Sequence, residues 1–291
     1  MRSRFSSIAA VMRLGGVGAL VVAGTLALSA GPAMASPSGA APMAYTCTGG
    51  EFNAANPAMS TFVTIPQGTY ASITIAGVCN VAPGAMINVL GNINVAAGAV
   101  FDAQSAPSTI TVGGNVIASS GSFLGLGCLP GPPAPSTLGH PCAVDPGGSS
   151  TITVNGNVIA TNADLVLLNG ITVKGSVSLV GSEGTSSVTA RATAIPWSIK
   201  TNTIGGNLTV SDVTPIWVGL LVNKVGGSVF LTNVQITDGL PPNNDPTPTI
   251  FVVFNTIGGN LVCSGLGPYL VVGPPGEVNV IGGRALGQCA P

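Results

Sequence analysis

Asn202-Thr203-Ile204-Gly205-Gly206-Asn207-Leu208-Thr209-Val210 is the stretch that decides the fold, because versions of it recur along the chain. Aligned on the second glycine, the copies centre on Gly91, Gly114, Gly156, Gly175, Gly206, Gly227, Gly259 and Gly283. Two places earlier stand Val89, Val112, Val154, Val173, Ile204, Val225, Ile257 and Ile281. Two places later stand Ile93, Val116, Val158, Val177, Leu208, Val229, Leu261 and Ala285. Asn or Ser follows the glycine in every copy but the last, which has Arg284. Apolar residues at a spacing of two describe short strands, and the fixed glycine marks a bend between them. Recurrence at roughly 19 to 32 residues, outside one longer gap, is the signature of a solenoid. The fold expected is all-β: a single-stranded, right-handed parallel β-helix of roughly ten coils with disulfide-pinned ends.

Composition agrees. Charged residues make up 6% of the chain, against roughly 25% in ordinary globular domains. Outward positions must therefore be filled by Thr, Ser, Asn and Gly, as on a β-solenoid. Arg2, Arg4 and Arg13, the apolar run from Leu14 to Leu28, and Ala33-Met34-Ala35 read as a secretion signal over residues 1–35. Gly15, Gly16, Gly18 and Gly24 interrupt that run, which argues against a membrane anchor. Residues 36–44 read as a flexible lead-in and 45–291 as the β-helix domain. Without the signal, five basic residues face nine acidic ones. That balance offers no electrostatic reason to bind nucleic acid, and no membrane insertion is expected after cleavage.

Six cysteines in an exported chain predict disulfides. Fifteen pairings are possible, and sequence order favours Cys47 with Cys79, Cys128 with Cys142, and Cys263 with Cys289. Metal binding is the alternative, but there is no Cys-x-x-Cys and His140 is the only histidine. No cofactor or metal is expected. Three insertions interrupt the coils, at 126–148, 184–200 and 239–249, the first rich in proline and bracketed by Cys128 and Cys142. The apolar runs Ile216 to Val222 and Ile250 to Phe254 suit strands covered on both faces.

Four places before the glycine, Ile87, Ile110, Ile152 and Ile171 give way to Asn202, Asn223, Asn255 and Asn279. Their inward phase predicts an internal asparagine ladder rather than a polar binding groove. Outward threonines (Thr109, Thr111, Thr151, Thr153, Thr172, Thr201, Thr203, Thr256) resemble the flat rows of some ice-binding proteins, but exposed strand positions favour threonine in any case.

Carbohydrate chemistry on a β-helix needs paired carboxylates, or acidic calcium ligands with a nearby base. The nine acids (Glu51, Asp102, Asp145, Asp164, Glu183, Asp212, Asp238, Asp245, Glu277) share no phase in the repeat. Asp238 and Asp245 flank one loop and are the pair best placed to meet. No catalytic residue is assigned.

The cap (Ile65-Pro66-Gln67-Gly68-Thr69-Tyr70, then Gly77-Val78-Cys79-Asn80-Val81), the Gly-Asn-Val coils, Asn-x-Ile-Gly-Gly-Asn-Leu-x-Cys and the closing Gly287-Gln288-Cys289 resemble uncharacterised secreted β-helix proteins of actinomycete-type bacteria. The coil motif is also similar to that of the bactofilins, polymer-forming β-helices. The expected function is a secreted, non-catalytic structural or binding protein of the cell envelope, with a cell-wall glycan or another surface protein as partner. The alternative is a polysaccharide lyase or glycoside hydrolase of the β-helix type.

Overall fold

The computed structural model describes residues 41–53, 59–130, 140–182, 197–215, 217–236, 249–273 and 278–291. The expected signal lies outside them, as do Asp238 and Asp245. Thr109–Val112, Val116–Ala118 and Phe123–Leu126 are three successive strands, and together they make one coil. The next coil repeats them as Thr151–Val154, Val158–Thr161 and Leu165–Asn169. Like strands pair parallel, Thr109 with Thr151, Val116 with Val158 and Phe123 with Leu165. Stacking throughout the described residues builds three parallel sheets of nine, ten and nine strands, here sheets I, II and III in coil order. The fold is a parallel β-helix, as the repeat predicts. Met43 already joins the stack, its carbonyl accepting the Ala71 amide at 2.9 Å.

The columns of the repeat are the registers of the sheets. Val112, Val154, Val173, Ile204, Val225 and Ile257 are successive partners in sheet I, all buried. Val116, Val158, Val177, Leu208, Val229 and Leu261 are successive partners in sheet II, equally buried. Burying one branched side chain per strand per coil gives a core that grows linearly along the axis.

The glycine between these columns is required by close stacking, and its φ is not in the left-handed region. A Cβ at Gly227 would collide with Asn207 Oδ1 and sit 2.8 Å from the Gly206 carbonyl oxygen. At Gly206 it would meet Ser176 Oγ. The colliding oxygens belong to the Asn or Ser that follows the glycine one coil earlier. Each of these oxygens accepts the backbone N–H of its successor: Asn92 from Asn115 (2.8 Å), Asn115 from Asn157 (2.7 Å), Asn157 from Ser176 (2.8 Å), Ser176 from Asn207 (3.1 Å), Asn207 from Ser228 (2.8 Å), Ser228 from Asn260 (2.9 Å) and Asn260 from Arg284 (2.8 Å). Glycine and its polar follower are therefore one device spanning two coils.

All three disulfides form in the pairing that sequence order favours. Cys47–Cys79 ties sheet II to sheet III inside the first coils, and Cys263–Cys289 ties the last turn back to sheet II. Cys128–Cys142 closes the first insertion outside sheet III, with both residues buried.

Candidate functional site

The inward asparagines form the expected ladder. Asn202 donates from N (3.1 Å) and Nδ2 (3.0 Å) to Asn223 Oδ1, and Asn223 donates likewise to Asn255 Oδ1 (2.9 and 3.0 Å). Asn255 does the same to Asn279 Oδ1, both at 2.9 Å. The second Nδ2 hydrogen of each reaches a carbonyl of a preceding coil: Asn202 to Leu168, Asn223 to Ile199, Asn255 to Leu220. The buried side-chain amides of Asn202, Asn223 and Asn255 are all satisfied, so the column is scaffold.

The ladder begins where the corner between sheets III and I tightens. The residue before each of the three buried rungs is left-handed: Thr201 (φ 58°), Val222 (59°) and Phe254 (59°). Gly170 (71°) occupies the same place before Ile171, whose amide donates to Asn202 Oδ1 at 3.0 Å. No positive φ precedes Ile87, Ile110 or Ile152. Thr201 thus leaves the outward threonine row expected of it and becomes a turn residue. The rest of the row is real: Thr111, Thr153, Thr172 and Thr203 are successive partners, and Lys224 interrupts them before Thr256.

The middle coils of sheet III are covered on their outer side. Outward-phase Val100, Leu165, Leu167, Leu221 and Val253 are buried, and for Leu221 and Val253 the continuous apolar runs predict it. Part of the cover is the first insertion, where Leu129 and His140 exchange backbone hydrogen bonds (2.9 and 3.2 Å) beside the Cys128–Cys142 bridge. Gly170 stacks so closely under the Leu129 side chain that a Cβ there would collide with it.

Under this cover the chain places several of its few polar groups. Asp102 Oδ1 accepts the amides of Gln104 and Ser105, both at 3.0 Å, which fixes the carboxylate in a turn. His140 is pushed down to about 4, first by burial and then by the Lys200 ammonium, with Asp102 pulling the other way. It is therefore neutral near pH 7. Burial also lowers Lys200, whose Nζ lies 5.6 Å from the centre of the Trp217 ring. Trp217 in turn packs on Phe251, ring centres 5.8 Å apart. Asn169 and Lys200 are direct partners on neighbouring strands, and the Ser198 hydroxyl lies 3.2 Å from Asn169 Oδ1.

A second feature is a cleft of about 250 Å3 at the N-terminal end of the same sheet, lined among others by Glu51, Phe52, Val100, Phe123 and Asp164. Phe52 and Phe123 are nearly parallel (21°) with centres 6.5 Å apart. Glu51 is held by Thr61, whose Oγ1 and carbonyl both accept its amide at 2.9 Å. The Asp164 carbonyl accepts the buried Trp197 indole N–H at 3.1 Å. Sequence reasoning did not bring Glu51 and Asp164 together. They are 113 residues apart in sequence and share no phase in the glycine frame.

Of the three insertions that interrupt the coils, 126–148 is described in part, whereas 184–200 and 239–249 lie outside the described residues except for 197–200 and Thr249. Glu183 and Glu277 also lie outside. Asp212, left-handed (φ 57°) within the strand Leu208–Val213, accepts a hydrogen bond from Asn233 Nδ2 at 2.9 Å. The cluster around His140 was missed because His140 lies in an insertion and has no place in the repeat. Its one signal was that Asp102 and Lys200 are charges set in apolar strands. No family model, no curated protein and no solved structure matches this chain.

Proposed function

We propose that this protein is a secreted, non-catalytic β-solenoid of the cell envelope or extracellular space that binds a polysaccharide in the Phe52–Phe123 cleft. The observation that carries the reading is the pairing of two aromatic rings with two carboxylate residues around one concavity. Ligand sites combine an apolar or aromatic floor with a few convergent polar groups, and a sugar presents both an apolar ring face and hydroxyl donors. A disulfide-tied rod supports this role, because disulfides persist outside the reducing cytosol. The test is retention of the oxidised protein on insoluble cell-wall polysaccharides. Phe52→Ala and Glu51→Gln should each release it, with the fold checked by circular dichroism. Retention that neither substitution changes, or no retention at all, overturns the proposal.

One observation favours the enzymatic alternative: Glu51 and Asp164 line the same cleft, and glycoside hydrolysis needs two carboxyl groups facing one bond. Reducing-end release in the same assay, abolished by Glu51→Gln with binding retained, would establish hydrolysis in place of simple binding.

A further inference from the structure

The covered face of sheet III holds a polar arrangement that neither the ladder nor the cleft explains. Asn169 is fully buried, and its Nδ2 has no hydrogen-bond partner. Such a group is costly and calls for a reason. Its direct partner in the next coil is Lys200. Leu168 and Ile199 point into the core as a registered pair, so the alternation of the strands puts Asn169 and Lys200 together on the outer face. Neighbouring strands are about 4.8 Å apart, well within the reach of a lysine side chain. The remaining contacts suit one reaction. We propose that Lys200 and Asn169 form an intramolecular isopeptide cross-link between adjacent coils, with Lys200 Nζ replacing Asn169 Nδ2 on Cγ.

The step balances without a co-reactant. The lysine amine attacks the side-chain amide carbon, a new C–N bond forms, the Cγ–Nδ2 bond breaks, and ammonia leaves carrying a proton from the attacking nitrogen. Attack requires the neutral amine, and burial shifts Lys200 toward that form. The Ser198 hydroxyl at Asn169 Oδ1 is placed to donate to the oxygen on which charge develops. His140, neutral near pH 7 and close enough for the Lys200 charge to act on it, can relay the proton between the two nitrogens. Trp217 and the Leu129–His140 bridge flank the pair and restrict water. The product leaves no unpartnered primary amide on the face and no buried ammonium.

Intact-mass measurement of the recombinant protein, reduced and alkylated at all six cysteines, tests this. The expected mass is lower than that of the uncross-linked chain by one ammonia, and tandem mass spectrometry should find a branched peptide joining Asn169 to Lys200. In Lys200→Met the full mass should return. Two results overturn the proposal. One is a wild-type chain at full mass with Asn169 in a linear peptide. The other is an ammonia loss that persists in Lys200→Met, which would place it at an Asn169–Gly170 succinimide instead. The wild-type measurement decides even if a variant fails to fold.

Discussion

Replacing Asn223 with leucine tests whether the inner ladder holds the second half of the rod together. The side chains are of similar size, so shape is roughly conserved while four side-chain hydrogen bonds disappear. Three of the groups left behind keep another partner: Asn202 Nδ2 still reaches the Leu168 carbonyl, Asn255 Oδ1 still accepts the residue 223 amide, and the Ile199 carbonyl stays in the ladder with the strand of the next coil. The fourth does not. The Asn202 amide loses the oxygen it met at 3.1 Å. At about 2 kcal/mol for that orphaned buried group and about 0.5 kcal/mol for each of the other three bonds, the loss is about 3.5 kcal/mol. Burying leucine returns about 1.5 kcal/mol, for a net destabilisation of about 2 kcal/mol. For a domain of this size that lowers Tm by about 4–8 °C. Thermal unfolding followed by circular dichroism measures it, with Asn207→Ala as the comparison. Asn207 belongs to the exposed outer ladder and gives up one bond to the Ser228 amide. Water can replace it, so its loss should cost only about 0.5–1 kcal/mol. If Asn223→Leu melts with the wild type, or no lower than Asn207→Ala, the ladder is not what stabilises these coils.

Gly227→Ala should cost about 2–3 kcal/mol, because its methyl collides with Asn207 Oδ1; pairing it with Asn207→Ala should recover part of the loss. A double-mutant cycle that comes out additive would refute the two-coil device. Val222→Gly should raise stability by up to about 1 kcal/mol, since left-handed strain of about 1–2 kcal/mol is removed against a smaller entropic cost of glycine in the unfolded chain. A lower Tm in this variant would refute the strain. His140 is lowered to about 4 in the folded chain from its usual 6.5, so between those values the unfolded chain binds the extra proton and stability is lost as the pH drops. The full difference is about 3 kcal/mol, and His140→Gln should flatten the Tm profile over that window while leaving the plateau above it.

Stacking explains why so much of the scaffold was legible in the chain. In a β-helix, one coil's translation along the axis carries every residue onto its counterpart, so aligning repeats is equivalent to assigning contacts. That is why the Val112–Val154–Val173 column is a ladder, and why the phase of Asn202, Asn223 and Asn255 already placed them in the core. The glycine shows the same rule in reverse: it is the bend that one copy suggests, but the requirement for glycine comes from the oxygen of the copy before. Sheet III resisted because its strands follow turns and insertions of unequal length, so no fixed offset from the glycine brings Asp102, Asn169 and Lys200 into a column. Lys200 and Lys224 make the limit concrete. Both are outward-phase lysines on parallel strands, yet Lys224 is exposed in the threonine row while Lys200 is lowered by burial next to Trp217. What separates them is the cover over sheet III, built partly from a disulfide-closed insertion that has no period. In a chain this regular, chemistry that departs from the scaffold has to enter through the segments that break the repeat, and His140 enters that way.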